Sequence, residues 1–377
     1  MSWPKPNMIN TLKPPVKLHG NRWVVFFIVL IIITGILLAF MWTDNDYFSQ
    51  WKFWVSVLFI STVISGVALS IRLYLYGLAQ EEYEIWKQEQ NNIEQNWQMW
   101  AMQSLVVLDS HYIVPNKITA KELIFDSDNI SVQVNNSLTF DDQSTFKNLA
   151  EDLFFSLRQV LSNLPAKEPI NITIYSSSES YSYIDEEINH AYQSAKISQP
   201  YKLTHQIVSR AENEKLIQWI DNPQSALQLI IINNTISSGS AFLCAFLLTD
   251  KEHYQNLDID IAKCEILRPM ITDDLLVGIN QMNDIQPAIH QINQLWFANM
   301  SNQQEVNLTK LLADLQISPE QIYKLESLLG NQTELSYWLS LAMGCDMITQ
   351  TKQNNLITAM SRNQWLFSVV TTVSKES

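Results

Sequence analysis

Two long apolar runs near the start of the chain limit its possible folds more than any other feature. Between Trp23 and Trp42 lies VVFFIVLIIITGILLAFM, without a charge, and residues 53–70 form a second run that Arg72 follows closely enough to snorkel. Each is about the length needed to cross ~30 Å of hydrocarbon as a helix. Trp23, Trp42, Trp51 and Trp54 fall where interfacial aromatic anchors belong. A cleaved signal peptide fits the first run poorly: the apolar stretch is too long, no small-residue cleavage site follows, and a second span comes at once. A buried helical hairpin of a soluble protein is the bland alternative. The two runs also account for 47% hydrophobic residues against only 16% charged.

Lysine and arginine near the spans set the expected orientation. Residues 1–22 carry Lys5, Lys13, Lys17 and Arg22 with no acid, whereas the link TDNDYFSQWK has only Lys52 beside Asp44 and Asp46. Both termini are therefore expected in the cytoplasm: a multi-pass topology with a tail over 1–22, two transmembrane helices over 23–76 and a short external loop. Cys244, Cys264 and Cys345 form no disulfide framework and no zinc spacing. A formal charge of −14, with no basic stripe after residue 90, argues against nucleic acid. The 38 acids are scattered, as on a solvated surface.

Residues 77–103 read as an amphipathic stalk helix, with Trp86, Ile93, Trp97 and Trp100 on one face. Too few heptads are present to define a coiled coil. Beyond the stalk, helical and strand-like segments alternate. SLVVLDSHYIVP (104–115), INITIYSS (170–177), ALQLIIINN (226–234), AFLCAFLLT (241–249), NLITAMS (355–361) and WLFSVVTTV (365–373) read as strands. Residues 144–161, 184–195, 211–220 and 335–349 read as helices, and 274–300 as largely helical. Strands that are mostly buried, alternating with helices, predict a layered α/β domain. The parts 104–250 and 260–374 are similar in length and element order, which suggests a duplicated architecture without a residue repeat.

SGSAFLCAFLL (238–248), LLGNQTELSYWLSLAMGCDMI (328–348) and the final FSVVTTV together resemble the paired strands, the Gly-His turn and the closing strand of thiolase and ketoacyl-synthase domains. The resemblance covers about 104–374 and implies a thiolase-like α/β fold behind the transmembrane hairpin. It also implies a nucleophilic cysteine at a helix N-terminus, where the dipole lowers the thiol pKa, beside two basic partners. Here the turn has Asn331 where the resembling family has histidine, and no cysteine sits at a strand-to-helix elbow of the first half. Cys244 falls inside an apolar strand, Cys264 at a strand start and Cys345 inside a helix, positions of small hydrophobes. His111, His190, His205, His253 and His290 lie in separate elements. Asp109, Ser110 and His111 alternate in direction along a strand and make no triad. Asp185, Glu186 and Glu187 read as a solvated helix start, and SSGS is no phosphate loop. No catalytic residue, metal ligand or cofactor is expected, which makes the domain a pseudoenzyme.

Two spans, the Trp-rich stalk WKQEQNNIEQNWQMW, then LVVLDSHYIVP and a degenerate α/β domain resemble membrane adaptors that accompany type VI secretion lipase effectors. That resemblance implies a bacterial inner-membrane protein that binds a lipase effector and loads it onto the secretion spike. Family members are viewed as working on the periplasmic side, whereas the charge rule places this domain in the cytoplasm. Confinement beside a membrane machine suits recruitment by raising effective concentration. The rivals are a membrane-tethered acyl-transfer enzyme, which needs a reactive thiol such as Cys264, and a toxin immunity protein. A transporter is disfavoured, since the spans carry no acid. Partner contacts are expected on loops, at Tyr181 and Tyr183 and at Ser237, Ser238 and Ser240; the oligomeric state stays open.

Overall fold

The computed structural model describes residues 2–6, 12–41, 47–176, 183–208, 214–224, 226–236, 238–257 and 259–373. They divide into two compact units, one over 6–96, the other formed by 1–5 with 97–377. Trp42 and the first four residues of the link after it lie outside the described residues.

In the first unit, α1 (Gly20–Met41) and α2 (Tyr47–Ala101) are both long and apolar enough to cross a bilayer. Thr34 and Ser61, both buried, meet hydroxyl to hydroxyl at 2.5 Å between them, and Val57, one turn before Ser61, is buried as well. Small residues let helix backbones approach, and a shared hydroxyl bond suits a medium without water. Val24, Ile28, Ile32, Ile36 and Phe40 face outward instead. α2 continues without a break for 55 residues, so the second apolar run and the stalk are one helix.

The second unit is a layered α/β body. Its first half contains β1 (Ser104–Ile113), α3 (Ala120–Phe125), α4 (Phe146–Asn163), β2 (Ile170–Ser176), α5 (Ile184–Ser194), β3 (Tyr201–Ile207), α6 (Glu214–Asp221), β4 (Leu227–Asn234), β5 (Phe242–Asp250) and α7 (Lys251–Asn256). Its second half contains β6 (Cys264–Leu267), β7 (Met270–Thr272), α8 (Leu275–Ile285), β8 (Ile292–Ala298), α9 (Asn302–Asp314), β9 (Gln321–Lys324), α10 (Leu325–Leu329), α11 (Ser336–Thr351), β10 (Asn354–Ser361) and β11 (Gln364–Thr371). Polar residues start many of these helices. Thr119 and Glu122 close a capping box on α3, Ser301 and Gln304 close another on α9, and Asp274 caps α8.

All the strands join one sheet in the order β3-β2-β4-β5-β1-β6-β11-β10-β8-β9, with β7 beside β11. Reading outward from the centre gives 1-5-4-2-3 on one side and 6-11-10-8-9 on the other. The directions match as well. β5 runs antiparallel to β1 and β4, as β11 does to β6 and β10, and the outer three strands of each half are parallel. β1 and β6 pair antiparallel at the junction. The chain has built the same sheet twice, although no residue repeat marks it.

Each half buries one sheet face under its own helices. Leu149, Leu153, Leu157 and Ile188 of α4 and α5 cover the first, and Ile279, Met282, Leu308 and Leu312 of α8 and α9 cover the second. The opposite faces of both halves contribute to a shared cluster around α11, with Ile230, Phe246, Trp296, Ile357 and Val370 packed with Trp338, Leu341 and Ile348.

The expectation that 274–300 is largely helical needs correction. α8 ends at Ile285, Pro287 opens a short 3-10 turn carrying His290, and 292–298 is strand β8. INQLWFA has no clean alternation because β8 is covered on both faces, with Trp296 facing α11 and Leu295 and Phe297 facing α8 and α9.

Trp3 belongs to this second unit. It is 5% exposed; its indole N–H donates to the Pro269 carbonyl at 3.0 Å, and its ring stands edge-on to Trp100 at 5.9 Å. The chain leaves the α/β unit after Lys5 and re-enters it at Trp97. Both points would therefore share one side of any bilayer that α1 and α2 cross. Arg268 closes the re-entry: its guanidinium stacks 4.0 Å from the Trp100 ring centroid, bonds the Trp100 carbonyl at 3.0 Å and pairs with Asp221 at 2.7 Å. A cation over an indole and against a helix C-terminus is favourable on both counts.

Candidate functional site

Two stretches that sequence pattern alone singled out, SGS before β5 and the Gly330–Asn331 turn, meet at the carboxyl end of β4. Ser240 is the node between them. Its N–H donates to the Asn331 carbonyl at 2.8 Å, its carbonyl accepts from Asn234 Nδ2 at 3.0 Å, and its hydroxyl donates to the Leu329 carbonyl while accepting from Leu138 N–H at 3.1 Å. Leu138 in turn accepts from Ala241 N–H at 2.7 Å.

A third segment is involved that the sequence did not single out. Residues 133–138 cross the turn: Asn136 accepts from Asn331 N–H at 2.7 Å, Gln133 N–H donates to Ser327 at 2.9 Å, and Asn331 Nδ2 bonds Ser137 Oγ at 2.9 Å. Gly330 is held at φ +79°, and a Cβ there would meet the Asn136 carbonyl oxygen at 2.1 Å. Only glycine tolerates both the left-handed backbone and that approach. The Gly330 turn is thus occupied by the chain's own backbone. Asn331, at the position where the thiolase resemblance implies a histidine, uses its side-chain amide to hold this segment.

The candidate partner residues separate. Ser238 is exposed and Tyr183 is 64% exposed beside the start of α5, so both can meet a partner. Ser240 is 7% exposed and fully engaged, so its side chain serves the seam and a charge there would break it. Tyr181 and Ser237 lie outside the described residues.

The thiols lie elsewhere. Cys244, Cys264 and Cys345 come from β5, β6 and α11 into the shared central cluster, all with 0% exposure. Burial raises the Cys264 thiol pKa well above its ordinary value, and a hydrogen bond with Cys345 adds to this; burial raises Cys244 likewise. A thiol held protonated is a poor nucleophile. The histidines are dispersed: His111 lies 3.3 Å from Ser156, His190 pairs with Glu151 at 3.0 Å, and His205 bonds Ser176 at 3.0 Å. His253 pairs with Glu168 at 2.9 Å, and His290 faces the Asn283 carbonyl at 3.3 Å. Asp109 pairs with Lys263 at 2.5 Å, not with a histidine. Asp185, Glu186 and Glu187 occupy the first turn of α5. Among the described residues no group of three or more His, Cys, Asp or Glu could hold a metal.

Charge is distributed unevenly. Residues 1–96 contain seven bases and seven acids, so the entire net charge of −14 falls on 97–377.

No family model matches the chain, and no curated protein matches it. Solved structures do. The chain is similar to a type II PKS acyl-carrier protein–ketosynthase complex, AntDE:AntF, at 13% identity and TM-score 0.45, covering 72% of this chain and 100% of that one. It is similar to cerulenin-bound OleA of Xanthomonas campestris at 10% identity and TM-score 0.47, covering 72% and 99%. The tetronic acid condensing enzyme AbyA1 follows at 10% identity and TM-score 0.45, covering 70% and 98%.

Proposed function

We propose that this protein is a membrane-anchored, non-catalytic binding protein whose acidic α/β body holds a protein partner beside the bilayer. The observation that carries the reading is the filled turn. Residues 133–138 cover Gly330 and Asn331, while the three thiols are buried in the central cluster, where burial holds Cys244 and Cys264 protonated. A charge of −14 confined to that body favours a partner with a basic face, through steering and complementarity. Ser238 and Tyr183 are the exposed positions for contact. The finer reading comes from the sequence resemblance to type VI adaptors: the partner is a lipase effector delivered to the secretion spike from the bacterial inner membrane.

The test is a mild-detergent purification of the full chain from its host, followed by reconstitution with each recovered protein. The expected outcome is a stoichiometric complex that Ser238→Trp weakens at least tenfold while the unfolding curve stays unchanged. In parallel, native protein given a thioester probe should remain unacylated, and a thiol reagent at pH 7.5 should label the three cysteines only after denaturation. Acylation of Cys264 in the native protein would sink this reading and establish the acyl-transfer rival.

A further inference from the structure

One end of the helical hairpin carries positive charge that nothing in the chain offsets. The Thr34–Ser61 contact fixes the register of α1 against α2. The two helices run antiparallel. Met41 is seven residues past Thr34 and Tyr47 fourteen before Ser61, so a parallel pair would part them by about 31 Å. Six peptide steps span about 21 Å at most.

Trp23 lies eleven residues before Thr34 and Arg72 eleven after Ser61, which puts both about 16 Å from the contact, at one depth. Eleven residues is close to three turns. Trp23 therefore shares the Thr34 face and Arg72 the Ser61 face, each towards the other helix. Arg22 precedes Trp23. In the opposite direction, seven residues bring Met41 level with Trp54, so the apolar lengths of the two helices are flush.

Arg22 and Arg72 are exposed, as are Lys13 and Lys17 in the tail that leads into α1. None of the four has an ion-pair partner among the described residues. Residues 1–43 contain no acid, and neither do residues 53–80. The first carboxylate past Arg72 is Glu81, about 13 Å further along the helix. That exceeds the screening length of about 8–10 Å in ordinary salt. Half-buried Trp23 and exposed Tyr74 mark this depth as the headgroup layer, where amphipathic rings settle. Two guanidinium groups at one depth repel, and the low dielectric of the apolar region beside them strengthens the repulsion. A phosphate between them removes it, accepting paired N–H bonds from each. The phosphates already present at this depth are those of phospholipids.

We infer that this end of the hairpin binds the phosphate of a phospholipid of net negative charge, held by Arg22 and Arg72, with Lys17 and Lys13 adding attraction. A zwitterionic headgroup carries its own ammonium and competes poorly. The inference rests on the membrane reading of α1 and α2 and is independent of the partner surface at Ser238.

The test reconstitutes the full chain into phosphatidylcholine bilayers with a trace of spin-labelled phosphatidylglycerol, phosphatidic acid or phosphatidylcholine. Electron spin resonance then measures the share of each label immobilised on the protein. Both anionic labels should associate roughly threefold or more above phosphatidylcholine, as a few cations near the surface provide. Arg22→Gln with Arg72→Gln should remove most of that preference, while Lys52→Gln, at the other end, should leave it unchanged. Because losing Arg22 also weakens the charge bias that orients the hairpin, a second variant keeps every charge. Arg22→Lys with Arg72→Lys loses only the paired donors and should lower the preference roughly twofold. Unchanged preference in both double variants overturns the site, as does equal association of all three labels with the native chain. No immobilised fraction for any label would remove the membrane reading and the site with it. Inorganic phosphate, set against chloride of equal ionic strength, should leave the preference in place. Its loss in phosphate alone would assign the arginines to free phosphate and overturn the lipid assignment.

Discussion

The two halves of the α/β unit share a strand order but not a division of labour. After β3 the first half makes α6, eight residues with two of them buried. At the matching place after β9 the second half makes α10 and then α11, sixteen residues with twelve buried. The layer between the sheet halves is thus supplied mainly by one half. A sheet order can be repeated while the central helix is enlarged on one side only, since packing density must be satisfied by the sum of the two contributions and not by each alone. The same asymmetry extends to the seam. Half two provides the turn at Gly330, and half one provides both segments that close over it, 133–138 and 238–241.

The largest way to break that relation is to force the halves apart at the turn. Gly330→Ala combines a positive φ with a Cβ 2.1 Å from the Asn136 carbonyl oxygen. It should cost about 3–5 kcal/mol, from backbone strain and overpacking together. Urea unfolding of the full chain in detergent, followed by tryptophan fluorescence, measures it; a loss under about 1 kcal/mol, the size of a single ordinary contact, would mean that 133–138 does not seal the turn.

The next test compares the unequal central helices directly. Trp338 of α11 is 0% exposed and packs against Tyr175 and Phe246, whereas Trp219 of α6 is only partly buried at the edge of the same cluster. Trp338→Ala should cost about 3–5 kcal/mol, the usual range for a buried tryptophan, and Trp219→Ala about 1–2. Equal costs would contradict the view that α11 carries the central layer.

The finest comparison removes one hydroxyl from each half. Tyr337 meets the Ser368 hydroxyl at 2.6 Å in the second half, and Tyr192 donates to the Gln199 carbonyl at 2.9 Å in the first. Both lie in buried surroundings, so each Tyr→Phe change should cost about 1 kcal/mol. A marked difference between the two would show that one half relaxes around the loss and the other does not.

Elements covered evenly along their length were legible in the sequence. The apolar runs of 226–234 and 241–249 became β4 and β5, and the nearly all-round apolar 335–349 became α11, because burial on every side suppresses polar residues on every side. The strand at 292–298 was misread for the same reason: without a polar face, strand and helix leave similar traces. The seam was half legible. Gly330 and the SGS loop stood out as turn chemistry, but Ser240 bonds Leu138 and Leu329, 102 and 89 residues away, and no local pattern encodes such pairings. Ser238 and Ser240 looked equivalent in sequence. Gly239 between them lies tight against Asn331 and Thr333, which leaves one serine outside and draws the other in.

The docking of Trp3 also has a consequence in time. The site that receives Trp3 is built from Pro269, which accepts its indole N–H, and Gln281, which donates to its backbone carbonyl, residues that leave the ribosome roughly 13–55 s after Trp3 at ordinary elongation rates. Through that interval the hairpin helices emerge and can be inserted while the first residues have nowhere to bind. Trp3 is then placed, and residues 6–96 closed into a loop, only after β6, β7 and α8 have emerged.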